Sequence, residues 1–399
     1  FADDTSLLSF GPNPTETALM LNRDLEKIAL WAKVWKVSFN ADKSRDMIFS
    51  EKSFNSSPPL LLNNAIFKRV TVHRHLGLML SSNLDWSHQI HYVCLRTNRK
   101  LAVLRSIKFI QRRTLDLLYK ITIRSIIDYC LPVYWHTLKV SEKNRLEQIQ
   151  YKSAKLVTGA LKFTSKERLN IELGYESIEK RADILGLSLF HKTLLGLQRP
   201  LINKCMPTLA APVNYNTRKR RIFFPFPVGK QKYNTSFFIL FSKKFESLPQ
   251  SIRKLRDQSD FKIQLNLHLA PKRYNFLSRG DKVANRLLTR IRVGRSYLNA
   301  HSFKFQLTES PLCPKCKFHN ESTSHFIQTC TAHNEARRTM LGVFEHFIPN
   351  FNTFNKQKQL DIILNGFDKD NDIFFTTNVS LQYAVQNFII QTKRFSSFT

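Results

Sequence analysis

No run of about 18 uncharged apolar residues occurs anywhere in this 399-residue chain, which excludes a membrane-spanning helix. Cysteine is sparse, with six residues, too few for a disulfide scaffold at this length. Three of them fall within residues 313–330, while Cys94, Cys130 and Cys205 stand alone in apolar surroundings. That usage fits a reducing interior and a metal site. Acidic residues are short as well: 30 Asp and Glu face 62 Lys and Arg, a formal net charge of +32. An excess of that size implies a polyanionic partner, most economically nucleic acid. No internal repeat of solenoid type is present. The chain starts at Phe1 with no initiator Met, so the absence of a signal peptide excludes nothing.

What is present suffices for a core. Hydrophobic residues make up 42% of the chain and aromatics 12%, including 32 Phe, enough for two or three folded domains. Residues 1–10 read as strand–turn–strand with Asp3 and Asp4 at the turn. Asn13-Pro14-Thr15-Glu16 gives a helix start with a cap, a Pro at the first position and a Glu at the third. Ala18, Leu21, Leu25, Ile28, Ala32 and Trp35 form one stripe of that helix, so Trp31 and Trp35 are expected in the core. Met47–Phe49 and Ala65–Phe67 read as short strands around a Pro58-Pro59 loop. His75–Leu80 reads as another, its Gly77 permitting close backbone approach.

From about Ser87 to Leu195 the pattern turns helical. One face carries Ile90, Val93, Leu101 and Leu104, and a second Leu115, Leu118, Thr122 and Ile126. A third carries Leu146, Ile149, Ser153, Leu156, Val157 and Ala160, capped by Ser141 and stopped near Gly159; a fourth helix runs from Ile178 to Leu195. Residues 196–300 are the least regular. Residues 211–300 hold twenty basic and four acidic residues, net +16, half the charge of the chain. Within them Arg218-Lys219-Arg220-Arg221 precedes an aromatic and Pro run, a combination suited to gripping phosphates and stacking unpaired bases. Helices are expected near 334–348 and 378–394.

Two constellations carry chemistry. Adjacent carboxylates at Asp3 and Asp4 supply hard oxygen ligands for the paired divalent ions of phosphoryl transfer; the plain alternative is an ordinary Asp-Asp turn. Cys313, Cys316, His325 and Cys330 are separated by two, eight and four residues, a spacing that suits a tetrahedral zinc site. His319 and His333 are rival ligands, the first separated from Cys316 by only two residues, the second beyond the knuckle. A closed four-ligand set leaves no open position, so such zinc is structural.

An ordered series then extends the opening Phe1-Ala2-Asp3-Asp4. It runs through Leu21–Leu25, Trp31–Trp35, Phe39-Asn40-Ala41-Asp42-Lys43-Ser44, His75–Leu78, Asn83–His88, Leu173-Gly174-Tyr175 with Arg181, Tyr233–Phe238, Leu248-Pro249 and Thr392–Phe395. The series resembles the reverse transcriptases of non-LTR, LINE-class, jockey-like retrotransposons across essentially the whole chain, and the Cys-Cys-His-Cys knuckle matches as well. The resemblance implies an α+β chain: the C-terminal part of a polymerase palm (1–86), a helical thumb (87–200), a basic nucleic-acid-binding connecting region (201–300), and a zinc knuckle with helical tail (301–399).

The implied parent activity is RNA-directed DNA polymerisation, copying an RNA template from a DNA primer with dNTPs. Asp3, Asp4 and an Asp of another palm strand would hold Mg2+, and Zn2+ would occupy the knuckle. Lys43 would lie near the incoming triphosphate, or be simply solvated; Leu76 and Gly77 would pack near the primer terminus, or be a plain core strand. The family places the third Asp and the fingers upstream. The 399-residue chain is therefore expected to be inactive as a polymerase, the alternative being a non-catalytic RNA- or DNA-binding remnant. An intracellular protein of cytoplasm and nucleus is expected.

Overall fold

The computed structural model describes residues 4–40, 42–50, 57–197 and 234–396. They are mostly helical with a few short strands, an α+β composition. The chain divides into two units. One comprises residues 1–96 with 138–142, the other residues 97–137 with 143–399.

In the first unit, helix α1 (Pro14–Trp35) starts as its cap signals require. Asn13 Oδ1 accepts the Glu16 N–H at 2.9 Å, and Asn13 Nδ2 donates to the Glu16 carboxylate at 2.7 Å. Mid-helix, Asn22 donates to Pro59 O and accepts the Leu61 N–H, each at 3.0 Å, which fastens the Pro58-Pro59 loop to α1. Ala18 and Leu25 pack with Leu60 and Leu62, and with the half-buried Leu21, Ala29, Phe39 and Phe67. Six short strands make three ladders. Strands β1 (Arg45–Asp46) and β4 (Lys68–Arg69) are parallel; β2 (Leu61–Leu62) with β3 (Ala65–Ile66), and β5 (Val72–His75) with β6 (Leu78–Ser81), are antiparallel.

Four strand and core expectations change here. Residues 4–10 are irregular, because they find no ladder partner among the described residues. Met47–Phe49 lies just past β1 and is not strand, since the parallel pairing with β4 ends at Asp46. His75–Leu80 is a hairpin and not one strand: Leu76 and Gly77 adopt φ of 46° and 82°, the pair of positive angles that a tight two-residue turn demands. Gly77 thus serves the turn. Trp31 and Trp35 are 50% and 67% exposed and lean on each other with ring centroids 6.4 Å apart. The buried stripe of α1 ends at Ala32, and the indoles fall on its open side.

The second unit is built from helices; α2 (Ser87–Ser106) and α6 (Val140–Thr158) run across its boundary. On α2 the predicted face is buried at Ile90, Val93, Leu101 and Leu104. The second predicted face is shifted: Leu115, Tyr119, Ile123 and Ile127 are the buried positions. Helix α3 (Arg112–Tyr119) passes through a π turn, Lys120–Arg124, into α4 (Ser125–Asp128), and wider π winding keeps a strict four-residue repeat on one side. A short α5 (Leu131–Tyr134) follows. Ser141 lies inside α6; the Lys139 N–H instead donates to Glu142 Oε2 at 3.0 Å. Gly159 closes α6 at φ +65°. Helices α7 (Lys166–Leu173) and α8 (Ile178–Leu194) complete this stretch.

The described part of 196–300 is more regular than its composition suggests. Helices α9 (Phe237–Glu246), α10 (Gln250–Arg253) and α11 (Gln258–Leu269) bury Phe241, Phe245, Phe261 and Leu265 against Ile184, Leu187 and Phe190 of α8. The many cations mask an apolar face that supplies the driving force. Gly186 of α8 permits this contact, because a Cβ built there would stand 2.0 Å from the Phe241 ring. Gly186→Ala is therefore expected to destabilise by about 1–3 kcal/mol from overpacking, outweighing the helix-propensity gain of about 1 kcal/mol. Urea unfolding of the variant checks the sign.

Helices α12 (Lys282–Arg292), α13 (Asn299–Phe303), α14 (Asn334–Phe347), α15 (Lys356–Asn365) and α16 (Phe375–Gln391) enclose a further core. Phe326, Phe344, Phe351, Phe388 and Phe395 are its largest side chains. The two expected C-terminal helices are α14 and α16. No helix among the described residues is long and apolar enough to cross a membrane.

Candidate metal centre and polymerase-like residues

The cysteine cluster sits on a turn and a short helix. The Cys313 N–H donates to His319 O and the Lys317 N–H to Cys313 O, both at 2.8 Å, with Lys317 left-handed at φ 63°. That turn lets Cys313 and Cys316 present their sulfurs together. The π turn His325–Thr329 returns the chain, bringing His325 and Cys330 back to the same place.

Zinc–sulfur bonds of about 2.3 Å and zinc–nitrogen bonds of about 2.0 Å, at tetrahedral angles, put two sulfurs about 3.8 Å apart and sulfur and nitrogen about 3.5 Å apart. Cys313 Sγ and Cys330 Sγ are 3.8 Å apart, and Cys316 Sγ and His325 Nε2 3.3 Å. All four ligand atoms lie within 4.8 Å of one another. The donor set fits a tetrahedral zinc ion. Neither rival belongs to the set of four: His319 is exposed, its ring centroid 5.5 Å from that of His325, and His333 is buried edge-on to Phe326 at 5.4 Å.

Electrostatics favour a cation here. Backbone N–H groups of Phe318 and His319 hold the Cys316 thiol below its ordinary range, towards the thiolate that binds metal. Burial, with Cys313 and Cys316 alongside, pushes Cys330 up to about 11. Three thiolates crowded together need a positive charge between them. Burial, with the charges of His319 and Arg337, keeps His325 below the ordinary histidine value, so the neutral ligating imidazole prevails. Its Nδ1 lies 3.3 Å from Thr329 Oγ1, leaving Nε2 for the metal.

Sequence reasoning passed over the residues that brace the cluster. Glu321 is fully buried; it accepts from Arg394 Nε at 2.5 Å and Nη2 at 2.7 Å, and from the Asn299 N–H at 2.7 Å. The guanidinium of Arg337 donates to Ile327 O at 2.8 Å and Cys330 O at 2.7 Å, fixing the π turn that carries His325. The only signal in the sequence is Arg394 in the terminal Thr-Lys-Arg-Phe, where nothing local shows its buried partner.

The polymerase-like residues lie in the first unit. Asp3 falls outside the described residues, and Asp4 is exposed. Two residues on, Ser6 Oγ is 3.2 Å from His75 Nε2, which joins the segment to the β5–β6 hairpin beside Leu76. Lys43 is exposed in a turn organised by Asn40, whose Oδ1 accepts the Lys43 N–H at 3.0 Å and whose carbonyl accepts Ser44. The Asn-x-x-Lys spacing is thus a turn signature. A cavity of about 750 Å3 lies between residues 7–14, α1 and residues 46–50, and Asp46 on its wall pairs with Arg69 at 2.6 Å. Arg218, Lys219, Arg220 and Arg221 lie outside the described residues.

Comparison with known proteins agrees with the family that the motif series points to, over 40–45% of the chain. The chain is 27% identical over 165 residues to the RNA-directed DNA polymerase from mobile element jockey of Drosophila melanogaster, covering 40% of this chain and 18% of that protein. This chain resembles non-LTR retrotransposon RNA-directed DNA polymerases. Probable polymerases from transposon BS and transposon X-element of the same organism match at 22% over 189 residues and 25% over 179 residues. The matched stretches span 18–20% of these relatives. No family model matches the chain, and no solved structure does.

Proposed function

We propose that this chain forms part of a non-LTR retrotransposon reverse transcriptase, from the palm motif through thumb, basic connecting region and zinc knuckle, with boundaries near 86, 200 and 300. The observation that carries the reading is the ordered motif series in a chain similar to three such polymerases. In the whole enzyme Asp3 and Asp4, with an Asp of another palm strand, would hold Mg2+, which would supply Lewis-acid stabilisation of the charge that develops in nucleotidyl transfer. Lys43 offsets charge on the incoming dNTP. Leu76 and Gly77 position the primer end, and the enzyme works in cytoplasm and nucleus. Zinc in the Cys313, Cys316, His325 and Cys330 set is structural, because the set is closed.

The catalytic reading needs Asp3 and Asp4 together with a third carboxylate. The isolated 399-residue chain is expected to incorporate no dNTP with Mg2+; template-dependent incorporation abolished by Asp3→Ala overturns this.

A binding function survives without catalysis. The charge of +32 favours it. RNA or DNA binding is expected to be steeply salt-dependent and unaffected by Asp3→Ala. Neutralising Arg218, Lys219, Arg220 and Arg221 together should weaken it about tenfold or more and flatten the salt slope. Fluorescence anisotropy across a salt series measures both.

A further inference from the structure

A second basic feature lies in the helical unit, away from both the metal cluster and the Arg218–Arg221 run in sequence. A small cavity of about 30 Å3 opens between the end of α6, the start of α3 and the first turns of α12. By the usual measure of about 10–15 Å3 per water, it admits two waters or the inner oxygens of one phosphate group. Lys108, Arg112, Lys282 and Arg286 line it, and no acidic side chain does.

These cations are gathered and held together. The ammonium groups of Lys108 and Lys282 lie 5.4 and 5.7 Å from the centre of the same Phe109 ring, and Lys282 Nζ also donates to Phe109 O. Arg286 lays its stem across Gly159, where a Cβ would stand 2.6 Å from Arg286 Cγ; Gly159, left-handed at φ +65°, leaves the space. Among the described residues Lys108, Lys282 and Arg286 form no ion pair.

At the back, Arg112 has a side chain only 10% exposed, and it shares the single carboxylate of Glu172 with Arg292. Two guanidiniums on one carboxylate leave a net positive charge, and the buried Arg112 Nε has no hydrogen-bond partner. Helix α3 starts at the same place, and its N-cap Gln111 makes no side-chain capping bond. Its first-turn N–H groups therefore add to the positive field. Like charges assembled around a cavity repel one another until an anion enters.

We propose that this cavity is a phosphate-binding site, and that the phosphate it takes belongs to the backbone of an RNA or DNA strand. The source of the phosphate rests on the nucleic-acid reading above; the site itself does not. Contact there positions a strand without reading its sequence.

The test uses the full chain, a parent and a Lys282→Gln/Arg286→Gln variant, with two probes. One is a fluorescent single-stranded RNA followed across a salt series, the other inorganic phosphate followed by 31P NMR. Both side chains are partly exposed and form no ion pair among the described residues, so the thermal midpoint should change little, and Lys108→Gln offers an independent exposed substitution. The variant is expected to bind RNA about tenfold more weakly, with a salt slope lower by about one. If the parent binds no RNA but perturbs the phosphate signal and the variant does not, the site stands and the nucleic-acid reading fails. If the parent binds RNA and the variants match it in affinity, slope and phosphate response, the cavity is not the site. If the parent binds neither probe, both proposals are overturned.

Discussion

Glu172→Ala is expected to remove about 3–5 kcal/mol of stability, a large share of the roughly 5–15 kcal/mol available to a folded domain. Glu172 lies in the last turn of α7 with a side chain 5% exposed. Arg292 grips it with Nε at 3.0 Å and Nη2 at 2.6 Å, Arg112 Nη1 donates at 2.9 Å, and Thr289 Oγ1 at 3.2 Å. Arg292 is 2% exposed. Removing the carboxylate strands two buried guanidiniums, which costs far more than the pairing itself contributes. Arg292→Met added to Glu172→Ala should recover part of the loss, because one unpaired charge leaves with it. Urea denaturation measures all three chains; a loss below about 1 kcal/mol for Glu172→Ala would show that water reaches the site.

The same residue sets an acid limit. Burial pushes the Glu172 carboxyl up, but the charges of Arg292 and Arg112 outweigh it and hold the group below the usual value of 4.5. A carboxyl depressed in the folded state adds stability above its unfolded value. That contribution drains away as pH falls from about 4.5 through the lower folded value. Glu172→Ala should therefore flatten the acid limb of a stability-versus-pH curve.

Stripping zinc is expected to have the second large effect. Metal analysis of the purified chain should find one zinc, and Cys330→Ser or His325→Ala should lose it. The consequence should spread, because Phe326 and Ile327, between those two ligands, are buried in the same core as Phe344, Phe351 and Phe388. Structural zinc supplies about 10–16 kcal/mol of apparent binding free energy in small peptides. A loss of several kcal/mol here, seen as a lowered unfolding midpoint in chelator, is the corresponding expectation. His333→Ala should retain the metal, since His333 packs against Phe326 outside the ligand set. Equal zinc in the Cys330 variant and the parent would remove the site.

Several motif residues turn out to be clasps. Gly174 caps α7 at φ +62°, and Tyr175 donates to Asp116 at 2.5 Å while stacking on Tyr119. Arg181 forks onto Asp128 with bonds of 3.2, 3.1 and 2.7 Å. Asn22 and Asn40 bind backbone groups of a loop and a turn. Each role joins partners distant in sequence or set by turn geometry, so the sequence carries the residues as a pattern without their contacts.

The sequence by itself determined what depends on local order. The α1 cap, the Gly159 stop, the helix faces at Ile90–Leu104, the net charge and the Cys–Cys–His–Cys spacing all follow from residues close together in the chain. Only the tertiary structure decided which alternatives won. It exposed Trp31 and Trp35, turned Leu76-Gly77 into a hairpin tip, shifted the α3 face through a π turn, and chose His325 over its rivals. It also gathered Lys108, Arg112, Lys282 and Arg286 around one cavity from three separate helical regions. The reason is physical: periodicity shows that a face is apolar or basic, but burial and electrostatic fields depend on what the rest of the chain brings to it.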